Sequence, residues 1–234
     1  MPTIAVLNVN STTAMTERMT EAARAAAGPD IALVPLTPPD APAAVEGDAD
    51  AARSAVAMLD VLAEEGDRWD AVVLAGVGDA GAEALREVSA APVVDVTEAA
   101  AATALTLGES FSFVTTGPRA IGMIRDRLAV SGLDGRLASV RASGLGVLEL
   151  EGDGVADILV GEAARAVGED GAEVICLGCC GMAGLAAELS VRLGVPVVDP
   201  VAAAVAQAAG IVRQRLTTSR VRRHARPAAM EAAR

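Results

Sequence analysis

The amino-acid sequence contains one pattern twice. DAVVLAGVGDAG, ending at Gly81 and followed by APVVDV, matches EVICLGCCGMAG, ending at Gly184 and followed by VPVVDP. Gly76 aligns with Cys179 at an offset of 103 and Pro92 with Pro196 at 104, one residue of slack. In the same way IAVLNVNSTTAMTERM corresponds to SFSFVTTGPRAIGMIRDRL, which sets Asn8 opposite Thr115. A unit of strand, turn, helix and strand that occurs twice predicts two pseudo-symmetric lobes. Within each copy, short β-branched runs alternate with alanine-rich stretches of helical length, so the fold class is α/β, each lobe a parallel sheet flanked by helices.

Strands are expected over residues 3–7, 31–34, 71–75, 93–96, 112–115, 174–178 and 195–198. Helices are expected over 13–27, 48–65, 80–88, 98–107, 118–131, 155–167, 182–193 and 201–216. The first lobe takes in 1–96 with 201–218, and the second 97–200. Residues 219–234, with five arginines and one glutamate, are expected to form a disordered or frayed tail. The proline-rich LTPPDAPAAVEGD, 36–48, reads as a loop or mobile flap.

Composition excludes several chemistries. The chain has 234 residues, and its 19 basic residues are all arginine, so no amine is present for a pyridoxal Schiff base or a P-loop. The single histidine, His224, lies in the arginine-rich tail, which argues against a Ser-His-Asp triad and against a metal site. With no tyrosine, two phenylalanines, one tryptophan and a net charge of -12, nucleic acid is not an expected partner. No apolar run reaches the roughly 18 residues of a membrane span, and the start carries no signal-peptide pattern. A cytoplasmic protein without metal or cofactor is expected, and its alanine-rich helices favour a homo-oligomer. Cys176, Cys179 and Cys180 fall within five residues, too close to staple a fold and consistent with free thiols.

Ligands of open parallel sheets bind beyond the carboxyl ends of the strands. Asn8, Gly76, Thr115 and Cys179 are therefore expected to converge on a cleft between the lobes. Cys179 follows an apolar run and precedes a helix-like stretch, where backbone N–H groups and the helix dipole would lower its pKa. Gly178 and Gly181 let the backbone approach a ligand there, and Gly76 with Val77 forms the matching turn of the first copy. Cys176 reads as a buried core thiol, and at Cys180 the amide matters more than the sulfur. Asn8, Asn10, Ser11 and Thr12 form a polar loop before a helix, suited to hold a carboxylate or imide oxygen or simply to cap. Thr115 and Thr116 are placed to stabilise a developing enolate oxygen. Asp95 and Asp199 follow PVV in the two copies; Asp95 reads as a helix cap.

Taken in order, NVNSTTAMT, GDAG, VTT, LGCCGM and PVVDPVAAAV resemble the aspartate/glutamate/hydantoin racemase superfamily, nearest its hydantoin and allantoin racemase branch, over almost the whole chain before the tail. The resemblance implies two α/β lobes and cofactor-independent proton transfer next to a carbonyl, with one cysteine from each lobe. It also places Asp199 near the inner end of the site. The second cysteine position is Cys179, but the first is Gly76, which carries no acid or base. Asp79 stands nearby, with turn formation or capping as its simpler role. Val9 and Ala80 stand where the family's NPN and GDPG carry proline. A glycine at the first position is similar to the arylmalonate decarboxylases, which protonate one face of an enolate. Val77 and Gly78, however, lack the hydroxyls those enzymes use. The expected activity is therefore one-cysteine chemistry on a small carboxylate or hydantoin-like substrate, either proton transfer or decarboxylation. The alternatives are a thiol-nucleophile hydrolase or desulfurase on a hydantoin-like ring, or a binding protein without catalysis.

Overall fold

The computed structural model describes residues 1–78, 80–225 and 227. Two four-stranded parallel sheets form the centres of two lobes. The first has the order β2-β1-β3-β4, from β1 (Thr3–Asn8), β2 (Ala32–Leu36), β3 (Ala71–Ala75) and β4 (Val93–Asp95). The second repeats it as β6-β5-β7-β8, from β5 (Phe111–Thr115), β6 (Leu137–Ala142), β7 (Val174–Leu177) and β8 (Val197–Val198). The helices are α1 (Thr13–Ala27), α2 (Asp48–Glu65), α3 (Ala82–Val88), α4 (Val96–Ala104), α5 (Arg119–Ser131), α6 (Val155–Asp170), α7 (Ala186–Leu193) and α8 (Pro200–Arg213).

Helices cover both faces of each sheet, which is why the central strands are almost wholly apolar. Along β1, Ile4 and Val6 pack with Met15, Met19 and Val205 from α1 and α8, while Ala5 and Leu7 pack with Met58 and Leu85 from α2 and α3. In the second lobe, Phe111 and Phe113 of β5 face α4 and α5. On its other face, Val114, Ile175 and Leu177 meet Leu159 and Ala163 of α6. Asp95 and Asp199 each cap the helix that follows, accepting from Thr97 and Glu98 and from Val201 and Ala202. Both capped helices cross over: α4 leaves the first sheet to pack on β7, β8 and α5, and α8 leaves the second to pack on β3, β4 and α1.

Two expectations are corrected. Strand β6 is absent from the sequence reading, since LASVRA offers a single buried residue, Val140, and no β-branched run. The helix expected from Met182 is a short 3₁₀ turn, Cys180–Met182, followed by α7 only at Ala186, because Gly184 adopts φ +90° and breaks the path. Within the tail, Arg220 donates to the carbonyls of Arg86 and Glu87 at the end of α3, and His224 lies 3.4 Å from Glu83. Residue 226 and residues 228–234 lie outside the described residues.

Where the lobes meet, a buried ion cluster joins them. Arg127 of α5, 1% exposed, bonds to Glu98 and to Glu83, the latter at 3.1 Å, and its Nε stands 3.7 Å from Oδ2 of the fully buried Asp95. Arg86 shares Glu83 and Glu98, and the Ser131 hydroxyl donates to Glu98 at 2.6 Å. Three carboxylates share two inward arginines, so the most deeply buried one holds its proton best. Burial, helped by the charge of Glu98, pushes Asp95 up to about 6 against the pull of Arg127. Burial also opposes the charge on Glu98 and Glu83, but hydrogen bonds from Arg86 and Ser131 to the first and from Arg127 to the second hold both below the ordinary range.

Candidate functional site

The carboxyl ends of β1, β3, β5 and β7 border one cleft between the lobes. Asn8, Val9, Asn10, Gly76 and Val77 line it from the first lobe, and Thr115, Thr116, Gly178, Cys179 and Cys180 from the second. Ser11 and Asp199 are not part of its lining. Asp79 lies outside the described residues. The cleft encloses about 40 Å³, far below the roughly 300–1,000 Å³ of ligand pockets generally. A roomier groove of about 410 Å³ runs between Leu59, Trp69 and Val88. Its polar side chains are Asp60, Asp67, Ser89 and the Trp69 indole, and its lining has no thiol, so the interlobe cleft is the better candidate.

Cys179 is half-buried, with extended backbone (φ −155°, ψ 135°). The expectation that a helix N-terminus lowers its pKa is overturned, because the following segment is the three-residue 3₁₀ turn. Burial pushes the thiol up to about 11, the negative charge of Glu46 adds to the rise, and a hydrogen bond from the Gly181 amide opposes it. At neutral pH the sulfur carries its proton. Burial raises Cys176 and Cys180 as well, and the Cys180 sulfur accepts a hydrogen bond from the Val77 amide across the lobe boundary. Alkylation by iodoacetamide in the native protein should therefore be slow at pH 7 and rise about tenfold per pH unit toward pH 11, with label on Cys179 first. A rate that levels off below pH 9 would contradict this setting of the thiol.

The polar groups divide into positioning residues and groups open to the cleft. The Asn8 side-chain amide donates to Asn10 Oδ1 and Thr16 Oγ1, both at 2.9 Å, and its Oδ1 accepts from the Asn10 amide at 3.2 Å. Asn8 is thereby committed to holding the loop that follows it. The Asn10 carboxamide oxygen also accepts from the Thr12 amide, while among the described residues its nitrogen meets only the sulfur of Met15, at 3.5 Å. The Thr115 hydroxyl donates to the Gly178 carbonyl at 2.8 Å, so it braces β5 against the cysteine turn and has no proton to give an enolate. Thr116 borders the cleft, and the hydrogen bonds found at it among the described residues, from the Gly144 amide and the Ser143 hydroxyl, use its carbonyl and leave its hydroxyl unengaged. Asp199 uses one oxygen to cap α8 and the other to accept from the Gly184 amide at 2.9 Å, which holds the end of the cysteine turn.

A strap over residues 37–47, between β2 and α2, runs beside the mouth. The Ser11 amide donates to the Pro42 carbonyl at 3.0 Å, and the Thr12 hydroxyl to the Ala43 carbonyl at 2.9 Å. Val45 lines the cleft from the strap, and Glu46 accepts from the Val147 amide of the opposite lobe at 3.1 Å. Glu46, Val147, Met15 and Met123 are site residues that the sequence reading missed. The two methionines stand near the start of the helix after the first strand of each copy, a position the repeat marks out. A single glutamate in a loop carries no such mark.

The chain matches the Asp/Glu/hydantoin racemase family over residues 4–208. It is 38% identical over 227 residues to the hydantoin racemase of Rhizobium meliloti, covering 96% of this chain and 94% of that one. The crystal structure of allantoin racemase from Pseudomonas fluorescens superposes with a TM-score of 0.94 at 49% identity, covering 97% of each chain. A variant of arylmalonate decarboxylase is more distant, with a TM-score of 0.60 and 25% identity over 89% of this chain and 94% of that one.

Proposed function

Because the chain belongs to the Asp/Glu/hydantoin racemase family, we propose that its cleft moves a proton at a carbon next to a ring carbonyl, on hydantoin- or allantoin-like substrates, with Cys179 as its one proton-transfer group. The observation that carries this reading is the asymmetry of the walls: Cys179 borders the cleft from the second lobe, and Gly76 and Val9 border it from the first. In one direction the Cys179 thiol gives its proton to the α-carbon of an enolate and becomes a thiolate; in the other the thiolate takes that proton and the electron pair passes to the carbonyl oxygen. The Thr116 hydroxyl and the Asn10 carboxamide nitrogen are the donors open to that oxygen. The strap excludes water once substrate is in place, and the narrow cleft requires it to lift for entry.

A thiol held at about 11 suits an acid better than a nucleophile, which favours proton transfer over a covalent hydrolase. The same thiol suits a second reading, loss of carbon dioxide from a substituted malonate. There the bond to the carboxyl breaks, its electron pair forms the enolate and the thiol protonates one face. Incubation of single enantiomers of 5-substituted hydantoins, allantoin and an arylmalonate in deuterium oxide, with NMR, polarimetry and carbon dioxide detection, tests both. The expected result is deuterium entering one enantiomer with its configuration retained, or carbon dioxide released with one enantiomer formed. Equal racemisation of both enantiomers rules out a one-sided mechanism, and no reaction with any of them favours a binding role.

A further inference from the structure

Glycine at position 76 is not demanded by backbone torsion, because its φ lies outside the left-handed range. It is demanded by space. A Cβ placed on Gly76 would lie 2.0 Å from Val9 Cγ1, 2.9 Å from Cγ2 and 3.0 Å from Cβ. Rotating the valine does not resolve this, since its own Cβ is among the three atoms and its branching leaves few rotamers. Nor is Val9 free to retreat: it is 8% exposed, packs in the core with Leu36, Met58 and Leu74, and its carbonyl accepts a hydrogen bond from Ser54 of α2. The contact follows from the strand pairing. Asn8 of β1 is in register with Ala75 of β3, so the next residue of each chain segment meets the other just beyond the sheet.

We propose that Val9 and Gly76 are a matched pair: the isopropyl group of Val9 occupies the room that any side chain at position 76 would need, and so decides whether the first-lobe wall of the cleft can carry a proton-transfer group. The steric half stands on the coordinates of these two residues. The chemical half rests on the reading of Cys179 as the proton-transfer group of the opposite wall.

The test is a cycle of wild type, Gly76→Ala, Val9→Ala and the double variant, followed by thermal melting. Gly76→Ala should lose roughly 2–12 °C in Tm through overpacking. The double variant, which loses the two shorter of these contacts and keeps the one at 3.0 Å, should melt no lower than Val9→Ala alone. Losses that simply add, or a Gly76→Ala protein that melts with the wild type, overturn the pair. If Gly76→Ala does not fold, a double variant with a cooperative melt supports it and one that is equally unfolded overturns it. Gly76→Cys is then made with and without Val9→Ala and assayed by deuterium exchange on both enantiomers of one substrate. Exchange of the second enantiomer only in the double variant supports the chemical half. Exchange in both proteins or in neither overturns it, and the wild-type rate in the same assay shows whether the reading of Cys179 has failed as well.

Discussion

Replacing Cys179 by alanine is expected to lower kcat by about 10²–10⁴-fold on any substrate that the wild type turns over, the range that a positioned acid or base contributes. Among the described residues, the one other ionisable group bordering the cleft is the Cys180 thiol. Cys180 is buried with its sulfur against the Val77 amide, and burial holds its pKa well above the ordinary thiol value, so it is poorly placed to take over. Cys176 is wholly buried within β7. The change removes one half-buried sulfur from a turn that is braced by the Thr115 and Asp199 hydrogen bonds, so Tm should move little. Cys179→Ser should be as inactive, since a hydroxyl is a far weaker acid. The check is steady-state kinetics with melting curves of the same preparations. A variant that keeps a tenth or more of the wild-type kcat would remove the sulfur from the chemistry.

Arg127→Met should produce the largest loss of stability. The methionine fills much of the arginine's volume but leaves Asp95, Glu98 and Glu83 facing one another, and breaking a buried pair by removing one partner costs about 3–5 kcal/mol. For a chain of this size that corresponds to a Tm lower by roughly 6–20 °C. The loss should depend on pH with a definite sign. Asp95 has a folded pKa of about 6, above the ordinary aspartate value of 3.8, so its contribution is fully present below 3.8 and is lost as the pH rises through 6. Without Arg127 to oppose burial, the folded pKa rises further and the deficit at pH 7 grows. Glu83 and Glu98 shift the other way, and their contributions fade only below the ordinary glutamate value of 4.5. Melting at pH 5 should therefore recover part of the deficit seen at pH 7, and a deficit that is the same at both would count against Asp95 as its source.

The duplicated pattern carried most of the architecture into view, because parallel strands buried on both faces leave unmistakable apolar runs such as AVVLA and VICL. Where one strand face is only partly covered, as in LASVRA, that mark vanishes, although the repeat itself requires a partner for β2 at that place. Convergence of Asn8, Gly76, Thr115 and Cys179 was likewise legible, since sheet order decides which strand ends are neighbours. The roles of individual groups were not. Whether Asn8 or Thr115 has a hydrogen to spare depends on partners such as Thr16 and the Gly178 carbonyl, and the acidity of Cys179 depends on how much protein covers it. In the sequence Val9 marks only a departure from the proline of the family's NPN, and its meeting with Gly76 exists only once β1 and β3 are laid side by side.

The exchange of α4 and α8 between the sheets has a consequence for motion. Each half of the molecule is roofed by a segment whose root lies in the other half, and the two segments also pack on each other. Pulling the halves apart as rigid bodies would peel both roofs away at once and expose the alanine-rich seam beneath them. Rigid-body opening of the waist is thereby costly, and on the proposed reading entry falls to the proline-rich segment, which Glu46 ties to the opposite half across the cleft.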